Sequence, residues 1–498
     1  MSSSAASLRS GLTIALGRAA RLAARLRGGG SGGTALPGLV MEKTDPGFLR
    51  RTLDQLPLGV VVVSGTNGKT TTTKMVVELL TAQGLKVLTN RTGSNFVRGV
   101  LASLLTEVDA VGRLNHDVAV LELDEAHAVR FVRRVRPRAA LLLNVMRDQL
   151  DRFGEIDYTA SLLHKVAAAT TDAVVVNADD PRLSGPAFFK GVRARTAAFG
   201  AGPGLRSLFV SDDDLRTGAA APAETPDAPT PADDAPAPVS APRACPAPRV
   251  VLESLQGRGA VVRVDGTDHE VSFAIPGVHN QLNACAALAL ALEVLGEKAD
   301  VDSLLAALAR VRAAFGRGEV LTLDGRDVEL SLVKNPAGFR MGLLTAEQAV
   351  AARGAETVMI AINDEYADGR DMSWLWDVDF TCLRGEGVAV VTGVRAWDMA
   401  LRLRYDEVPI GVVEPDLGKA LALLRRAPDV VTGAGADKSA GADTSADKDA
   451  GAGAGEDAAA ETGTAPSNRP MRVFTTYTAM LALRARLGEL TEVEEVMK

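Results

Sequence analysis

Residues 58–72 read Leu-Gly-Val-Val-Val-Val-Ser-Gly-Thr-Asn-Gly-Lys-Thr-Thr-Thr, a buried strand running into a phosphate-binding loop. Val60–Val63 is short, β-branched and uncharged, the pattern of a central parallel strand covered on both faces. Gly65 and Gly68 allow the backbone to curl so that its N–H groups converge on a phosphate, with Thr66 and Asn67 completing the loop. Lys69 supplies a cation for the outer phosphates, and Thr70 or Thr71 a hydroxyl for Mg²⁺. Met75, Val76, Leu79 and Leu80 then carry a helix whose N-terminus faces the same anion. Where the general pattern has its first glycine this chain has Val63, so the loop is a variant. The competing reading is a chance glycine turn, and the flanking strand, lysine, hydroxyls and helix argue together against it. The loop specifies ATP or GTP, not the reaction.

The surrounding chain is ordinary and globular: 498 residues, 47% hydrophobic, 23% charged, formal net charge −7. That length allows two or three domains. The acidic balance argues against general nucleic-acid binding. Three cysteines make no disulfide framework, and their spacing is wrong for zinc. Cys285 lies in an apolar helix and Cys245 in a Pro-rich linker, which suits a reducing cytosol. No uninterrupted run reaches the roughly 18 apolar residues of a membrane span.

Residues 1–28 hold Arg9, Arg18, Arg21, Arg25 and Arg27 and no acid. Leu12, Ile14, Leu16, Ala19, Leu22 and Leu26 form an approximate helical stripe. A helix packed on the first domain, a basic helix touching anionic lipid, and an organellar transit peptide all stay open.

Two segments, 212–248 and 433–469, are rich in Ala with Pro, Gly, Asp and Thr. Neither has the apolar content to offset its ordering entropy, and both are expected to be disordered insertions. Without them, residues 38–312 alternate strand and helix: strands at 59–64, 86–90, 117–122, 139–143 and 173–177, helices at 70–83, 98–106, 125–134 and 158–169. A hairpin of 249–264 with 268–274 and a helix at 279–295 follow. Strands at 328–333, 357–362, 388–392, 410–413 and 472–475 mark a second, smaller body over 313–498. The expected class is α/β: a P-loop domain on a mostly parallel sheet, then a smaller Rossmann-like domain.

Further strings accompany the loop: Asn144-Val-Met-Arg-Asp148-Gln-Leu-Asp151, Asn177-Ala-Asp179-Asp180-Pro181, Gly277-Val-His279-Asn280-Gln-Leu-Asn283 and Phe315-Gly-Arg317-Gly-Glu319. In this order they resemble the Mur ligases, which join amino acids to carboxylates with ATP. Lys334-Asn335-Pro336-Ala-Gly338, Asn363-Asp364-Glu-Tyr-Ala-Asp368-Gly-Arg370-Asp371-Met-Ser-Trp374-Leu-Trp376-Asp377, Thr392-Gly-Val-Arg395-Ala-Trp-Asp398 and Thr476-Tyr477-Thr478 are similar to the MurT-type branch. The resemblance covers nearly all of 38–498 outside the two insertions.

The resemblance implies amidation of the α-carboxylate of D-glutamate in the lipid II stem peptide, with ATP consumed and ammonia delivered by a separate GatD-like glutaminase subunit. The residue chemistry agrees. A carboxylate is a poor electrophile, and phosphorylation gives it a good leaving group; that needs Lys69, Mg²⁺ and an acidic Mg²⁺ ligand. Glu122, ending the strand 117–122, is placed for the metal with Thr70 or Thr71. Asn144 and Asp148 would line the same crevice. Asp180 is a candidate for the ribose, Asn280 or Asn283 for the adenine, and Arg317 joins the nucleotide set. Without the resemblance Asp180 reads equally as an Asx turn, and the asparagines as helix caps.

No cysteine lies in a setting that would expose a thiolate to a histidine, so glutamine hydrolysis must come from another polypeptide. The resemblance implies that an aspartate of the 363–377 loop orients the partner's histidine. Asp371 is preferred, Asp368 second, and a solvated acidic loop anchored by Trp374 and Trp376 is the plain alternative.

Three positions depart from the family pattern. Gln149 replaces a histidine associated with a second Mg²⁺, Ser161 stands where a carbamylated lysine is expected, and the 212–248 linker lacks a four-cysteine ribbon, so no zinc is expected. Two other readings stay open: a stand-alone Mur-type or folylpolyglutamate-type ligase adding an amino acid rather than ammonia, and a nucleotide-binding scaffold without catalysis.

Overall fold

The computed structural model describes residues 2–26, 35–90, 95–147, 156–209, 244–256, 259–312, 317–427 and 469–491. Both expected insertions fall almost wholly outside them, as do Asp148, Gln149 and Asp151. The chain divides into two compact units, Met1–Arg317 and Gly318–Glu494.

In the first unit the strands β1 (Val60–Ser64), β2 (Val87–Thr89), β3 (Val118–Glu122), β4 (Ala139–Leu142), β5 (Ala173–Asn177), β6 (Arg195–Ala201), β7 (Val250–Gln256), β8 (Gly259–Val264) and β9 (Thr267–Ser272) form one sheet. Its order is β2-β3-β1-β4-β5-β6-β7-β8-β9. It is parallel as far as β7 and antiparallel across β7–β8–β9. All five residues of β1 are buried, and alternation assigns them to two cores. Val60 and Val62 join Phe48, Leu104, Leu121 and Phe131 on one face. Val61 and Val63 join Met75, Leu79 and Leu288 on the other.

Three N-terminal helices, α1 (Ser2–Leu26), α2 (Ala35–Thr44) and α3 (Phe48–Leu53), lead into the sheet. Helices α4 (Lys69–Ala82), α5 (Val97–Glu107), α6 (Glu125–Val132), α7 (Ile156–Ala169) and the short α8 (Pro181–Ser184) connect the strands, and α9 (Val278–Leu295) and α10 (Val301–Leu308) follow β9. By length and composition the segment Val278–Lys298 could cross a membrane. Instead α9 is the core helix of the unit: every residue from Leu282 to Val294 is buried, the apolar ones in the second core.

Helix α1 corrects the single stripe expected from sequence. Ile14 is 2% exposed and turned inward, whereas Leu12, Leu16, Leu22 and Leu26 are exposed. Gly17 fits α1 onto its neighbours, because a Cβ there would lie 2.9 Å from Met41 and 3.1 Å from Leu105.

The second unit holds β10 (Arg317–Leu323), β11 (Arg326–Leu332), β12 (Thr357–Ala361), β13 (Val388–Thr392), β14 (Ile410–Val413) and β15 (Met471–Thr475), in the order β10-β11-β15-β12-β13-β14. From β11 to β14 every pairing is parallel. Helices α11 (Pro336–Arg353), α12 (Ala396–Tyr405), α13 (Leu417–Arg425) and α14 (Tyr477–Gly488) complete it. One core gathers Phe339, Trp374, Phe380 and Phe474, the other Met359, Val390, Val473 and Leu483. Inside the sheet, Arg472 is paired with Glu329 at 2.7 Å and with Glu356, all three buried. Removing one partner of such a set leaves an uncompensated buried charge.

Two strands, β6 and β10, were absent from the sequence reading. The expected hairpin arm 249–264 is itself two strands, β7 and β8.

Candidate active site

The crevice forms where the sheet order reverses around β1, at the carboxyl ends of β1, β3 and β4, the usual ligand position in open α/β sheets. The register sets Val63 beside Glu122 and Ser64 beside Leu142. The loop leaving β1 is therefore flanked by the end of β3 and by Asn144 just beyond β4. Gly65 and Gly68 take φ of 133° and 83°, which a Cβ would resist. At Gly68 a Cβ would also come within 2.6 Å of the Asn283 amide oxygen.

Asn144 moulds the loop. Its Oδ1 accepts from the Asn67 N–H at 2.8 Å and its Nδ2 donates to the Asn67 carbonyl at 3.1 Å. The Thr66 N–H donates to the Asn144 carbonyl, and the Thr66 hydroxyl accepts from the Met146 N–H, each at 3.1 Å. Asn144 thus acts first by shaping the loop's backbone.

Lys69 is buried, with Nζ 2.6 Å from the Gly65 carbonyl, 3.3 Å from Asp124 and 3.6 Å from Glu125. The Thr70 hydroxyl donates to Glu122 Oε1 at 2.9 Å. Thr71 is buried in the same turn as well, but it is the Thr70 hydroxyl that meets the carboxylate. Asn90, at the end of β2, fixes the Glu122 backbone twice, accepting from its N–H and donating to its carbonyl, each at 2.9 Å. Sequence reasoning missed Asn90, Asp124 and Glu125. The adjacency of β2, β3 and β1 that joins them to the loop has no local signature.

Asp180 does not present itself to a ribose. Its Oδ1 accepts from the Arg182 and Leu183 N–H groups, capping α8, and its Oδ2 accepts from the Val145 N–H at 2.6 Å. Burial pushes its carboxyl up to about 6 against those stabilising bonds. It straps the loop after β4 to the loop after β5. Asn280 donates to the Pro276 carbonyl at 2.6 Å, which steadies the entry to α9. Asn283 sits over Gly68 at the phosphate loop, a position different from the adenine contact expected for it. Arg317 begins β10, and its side chain lies outside the described residues.

Hard oxygen donors at Thr70 and Glu122, N–H groups around Gly68 and a dehydrated lysine suit nucleotide phosphates with Mg²⁺. Among the described residues no group of three or more His, Cys, Asp or Glu could by itself hold a metal. A Mg²⁺ at Thr70 and Glu122 would complete its shell with phosphate oxygens and water, its ordinary habit.

In the second unit the loop after β12 is tied at the same end of its sheet. The Asn363 N–H donates to the Thr476 hydroxyl at 2.8 Å and its Nδ2 to the Thr478 hydroxyl at 3.1 Å, while its Oδ1 accepts from the Val394 N–H at 3.0 Å. Asp368 is buried and turned inward, accepting from the Thr478 N–H at 2.8 Å, the Glu365 N–H at 3.1 Å and the Thr478 hydroxyl. Burial pushes its carboxyl up. It is an anchor of the loop, which corrects its place as second candidate for orienting a partner's histidine. Asp371 is exposed. Its hydrogen bond from Ser373 holds its carboxyl below the usual range, so it is charged and outward.

The two tryptophans of this loop differ. Trp374 is buried against Phe339, while Trp376 is half exposed with its ring 5.0 Å from Tyr405. None of the three thiols is poised as a thiolate. Cys382 is exposed, and partial desolvation of its thiol with Glu347 and Asp379 nearby pushes it up to about 12, while burial raises Cys245 and Cys285.

Residues 63–211 match the Mur ligase middle domain, and residues 332–430 match the MurT ligase C-terminal domain. The MurT subunit of lipid II isoglutaminyl synthase (glutamine-hydrolyzing) from Streptococcus pneumoniae (strain ATCC BAA-255 / R6) is 30% identical over 393 residues, 76% of this chain and 83% of that protein. The chain belongs to the MurT family. The MurT subunit from Staphylococcus aureus (strain COL) is 28% identical over 446 residues, 83% of this chain and 92% of that protein. The fold is shared with MurF from Acinetobacter baumannii (TM-score 0.61, 17% identity, 91% of this chain and 81% of that one). It is shared also with folylpolyglutamate synthase from Mycobacterium tuberculosis (TM-score 0.51, 16% identity, 88% and 92%). The MurT C-terminal match contains both Asp368 and Asp371, and the middle-domain match contains Lys69, Thr70, Glu122, Asn144 and Asp180.

Proposed function

We propose that this chain is the ATP-dependent synthetase subunit of a lipid II isoglutaminyl synthase. The observation that carries the reading is the MurT relation across both units, combined with a formed phosphate crevice in the first. The stem-peptide D-glutamate α-carboxylate attacks the γ-phosphorus of ATP, and ADP leaves. Ammonia then attacks the acyl carbon of the acyl phosphate, phosphate leaves, and loss of a proton gives D-isoglutamine. Lys69 and the loop N–H groups stabilise charge on the transferred phosphoryl. Thr70 and Glu122 would hold Mg²⁺, which when bound would supply Lewis-acid neutralisation of the phosphates. Asn144 and Asn90 keep loop and carboxylate in register, and Asn283 stands over the loop.

At neutral pH ammonia is almost entirely ammonium, so a protected supply is needed. A GatD-like glutaminase provides it. Asp371 is the residue assigned to orient that partner's histidine, in the way an aspartate fixes the imidazole of a triad. Its exposure and charge support this role. The same loop also presents the half-exposed Trp376 in contact with Tyr405, with Leu401 and Trp397 exposed one and two turns back along α12. ATP is a cytoplasmic metabolite, so the reaction runs on the cytoplasmic side of the membrane.

The test is to co-express the chain with a GatD-like glutaminase and incubate the copurified complex with lipid II, ATP, Mg²⁺ and glutamine. The expected product is lighter by the difference between OH and NH₂, once per stem peptide. Intact lipid II with ATP unspent overturns the reading.

A further inference from the structure

Helix α1 carries two apolar faces, and its own unit covers one of them. The inner face is Thr13, Ile14 and Gly17, packed toward Met41 of α2 and Leu105 of α5. The outer face is Leu12, Leu16, Leu22 and Leu26, exposed by 64%, 39%, 59% and 79%, with exposed Ala15, Ala19 and Ala23 between them. Positions 12, 16, 19, 23 and 26 recur every three or four residues and form one continuous stripe. A helix that only had to dock on its own domain needs one such stripe.

The charges frame this outer stripe. Arg9 lies along one edge and Arg18 along the other by helical spacing. Each is steadied from within, Arg9 by Asp45 at 3.3 Å and Arg18 by the Val108 carbonyl at 3.3 Å. The first 28 residues hold five arginines and no acid, in a chain whose formal net charge is −7. An apolar stripe of leucine and alanine edged by arginine is complementary to an anionic bilayer surface. The leucines enter the boundary of the acyl chains while the guanidinium groups stay at the phosphates.

We propose that the outer face of α1 seats the protein on anionic lipid, with the helix lying in the plane of the interface. The inference is drawn from this face and its charge, and it does not rest on the reaction proposed above. Its test accordingly needs no lipid II.

The full-length protein is sedimented with sucrose-loaded vesicles of phosphatidylcholine and phosphatidylglycerol, and in parallel with phosphatidylcholine alone. Binding to the anionic vesicles, weakened by salt, is expected. The triple variant Leu12→Ser, Leu16→Ser, Leu22→Ser should lower the partition coefficient at least about tenfold. Its melting temperature should be unchanged, since these side chains face outward. Equal sedimentation of wild type and variant, or no binding to anionic vesicles, overturns the proposal. Light scattering supplies the second arm: a wild-type dimer that becomes monomeric in the triple variant assigns the face to a second copy of the chain, and also overturns it.

Discussion

At the carboxyl end of its sheet the first unit uses Asn144 to hold the backbone of the neighbouring loop, and the second unit uses Asn363 to hold the loops after β13 and β15. From this common start the two ends diverge. Around Asn144 the polar groups close on each other: Lys69 on Asp124 and Glu125, Thr70 on Glu122, Asn90 on the Glu122 backbone. Around Asn363 one carboxylate, Asp368, is drawn inside, and another, Asp371, is left outside in a loop that also exposes Trp376. A preformed, desolvated set of donors suits charge that develops within the unit itself. An outward carboxylate in a loop with an exposed tryptophan suits chemistry completed by another molecule.

The contrast can be broken most forcefully at Lys69. Lys69→Ala in the complex should lower amidation on the order of 10³-fold or more, whether nitrogen comes from glutamine or from added ammonium. Measured hydrolysis of glutamine should continue. Loss of hydrolysis in the same proportion would mean that the two ends do not divide the work. Glu122→Gln should follow at on the order of 10²-fold in kcat, with a higher Mg²⁺ requirement; an unchanged Mg²⁺ titration would remove it from the metal.

Asp180 probes the rigidity of the first crevice through pH. Its folded-state carboxyl, at about 6, lies above the ordinary value of 3.8. Protonation therefore favours the folded state. That advantage is present below about pH 4 and lost as the pH rises through 6, a change of up to about 3 kcal/mol. Denaturant unfolding of wild type and Asp180→Asn should diverge with pH across this window, and parallel profiles would contradict the assignment. The smallest effects separate the two aspartates of the second unit. Asp368→Asn should destabilise by about 1–2 kcal/mol through lost buried acceptance, and Asp371→Asn by less than about 0.5 kcal/mol. Thermal melts read the difference.

Much of this was legible in the sequence because phosphate binding is a local problem. Strand, glycines, lysine and hydroxyls must be contiguous, and residues 58–72 hold them all. Glu122 was legible for a related reason, as the carboxylate ending a buried apolar strand. Asn90 was not, since only the adjacency of β2 and β3 gives it meaning. Asp180 illustrates the opposite failure: a residue in a suggestive string proves to be a helix cap with a strap to Val145. β6, with its Ala-Ala-Phe-Gly-Ala run, lacks the β-branched pattern that exposed its neighbours, and β10 opens with Arg317 and Gly318. In α1 the residue types were readable but their facing was not, because apolar positions occur on two sides. At 363–377 the acidic loop was evident, yet burial alone distinguishes Asp368 from Asp371.

The most direct measurement is made on the complex carrying Asp371→Asn, assayed for lipid II amidation with glutamine and again with ammonium chloride at raised pH. The account predicts that glutamine-dependent amidation and glutamine hydrolysis collapse together, while ammonium-dependent amidation stays at the wild-type rate. Glutamine-dependent activity at the wild-type level, or loss of both nitrogen sources alike, would contradict it.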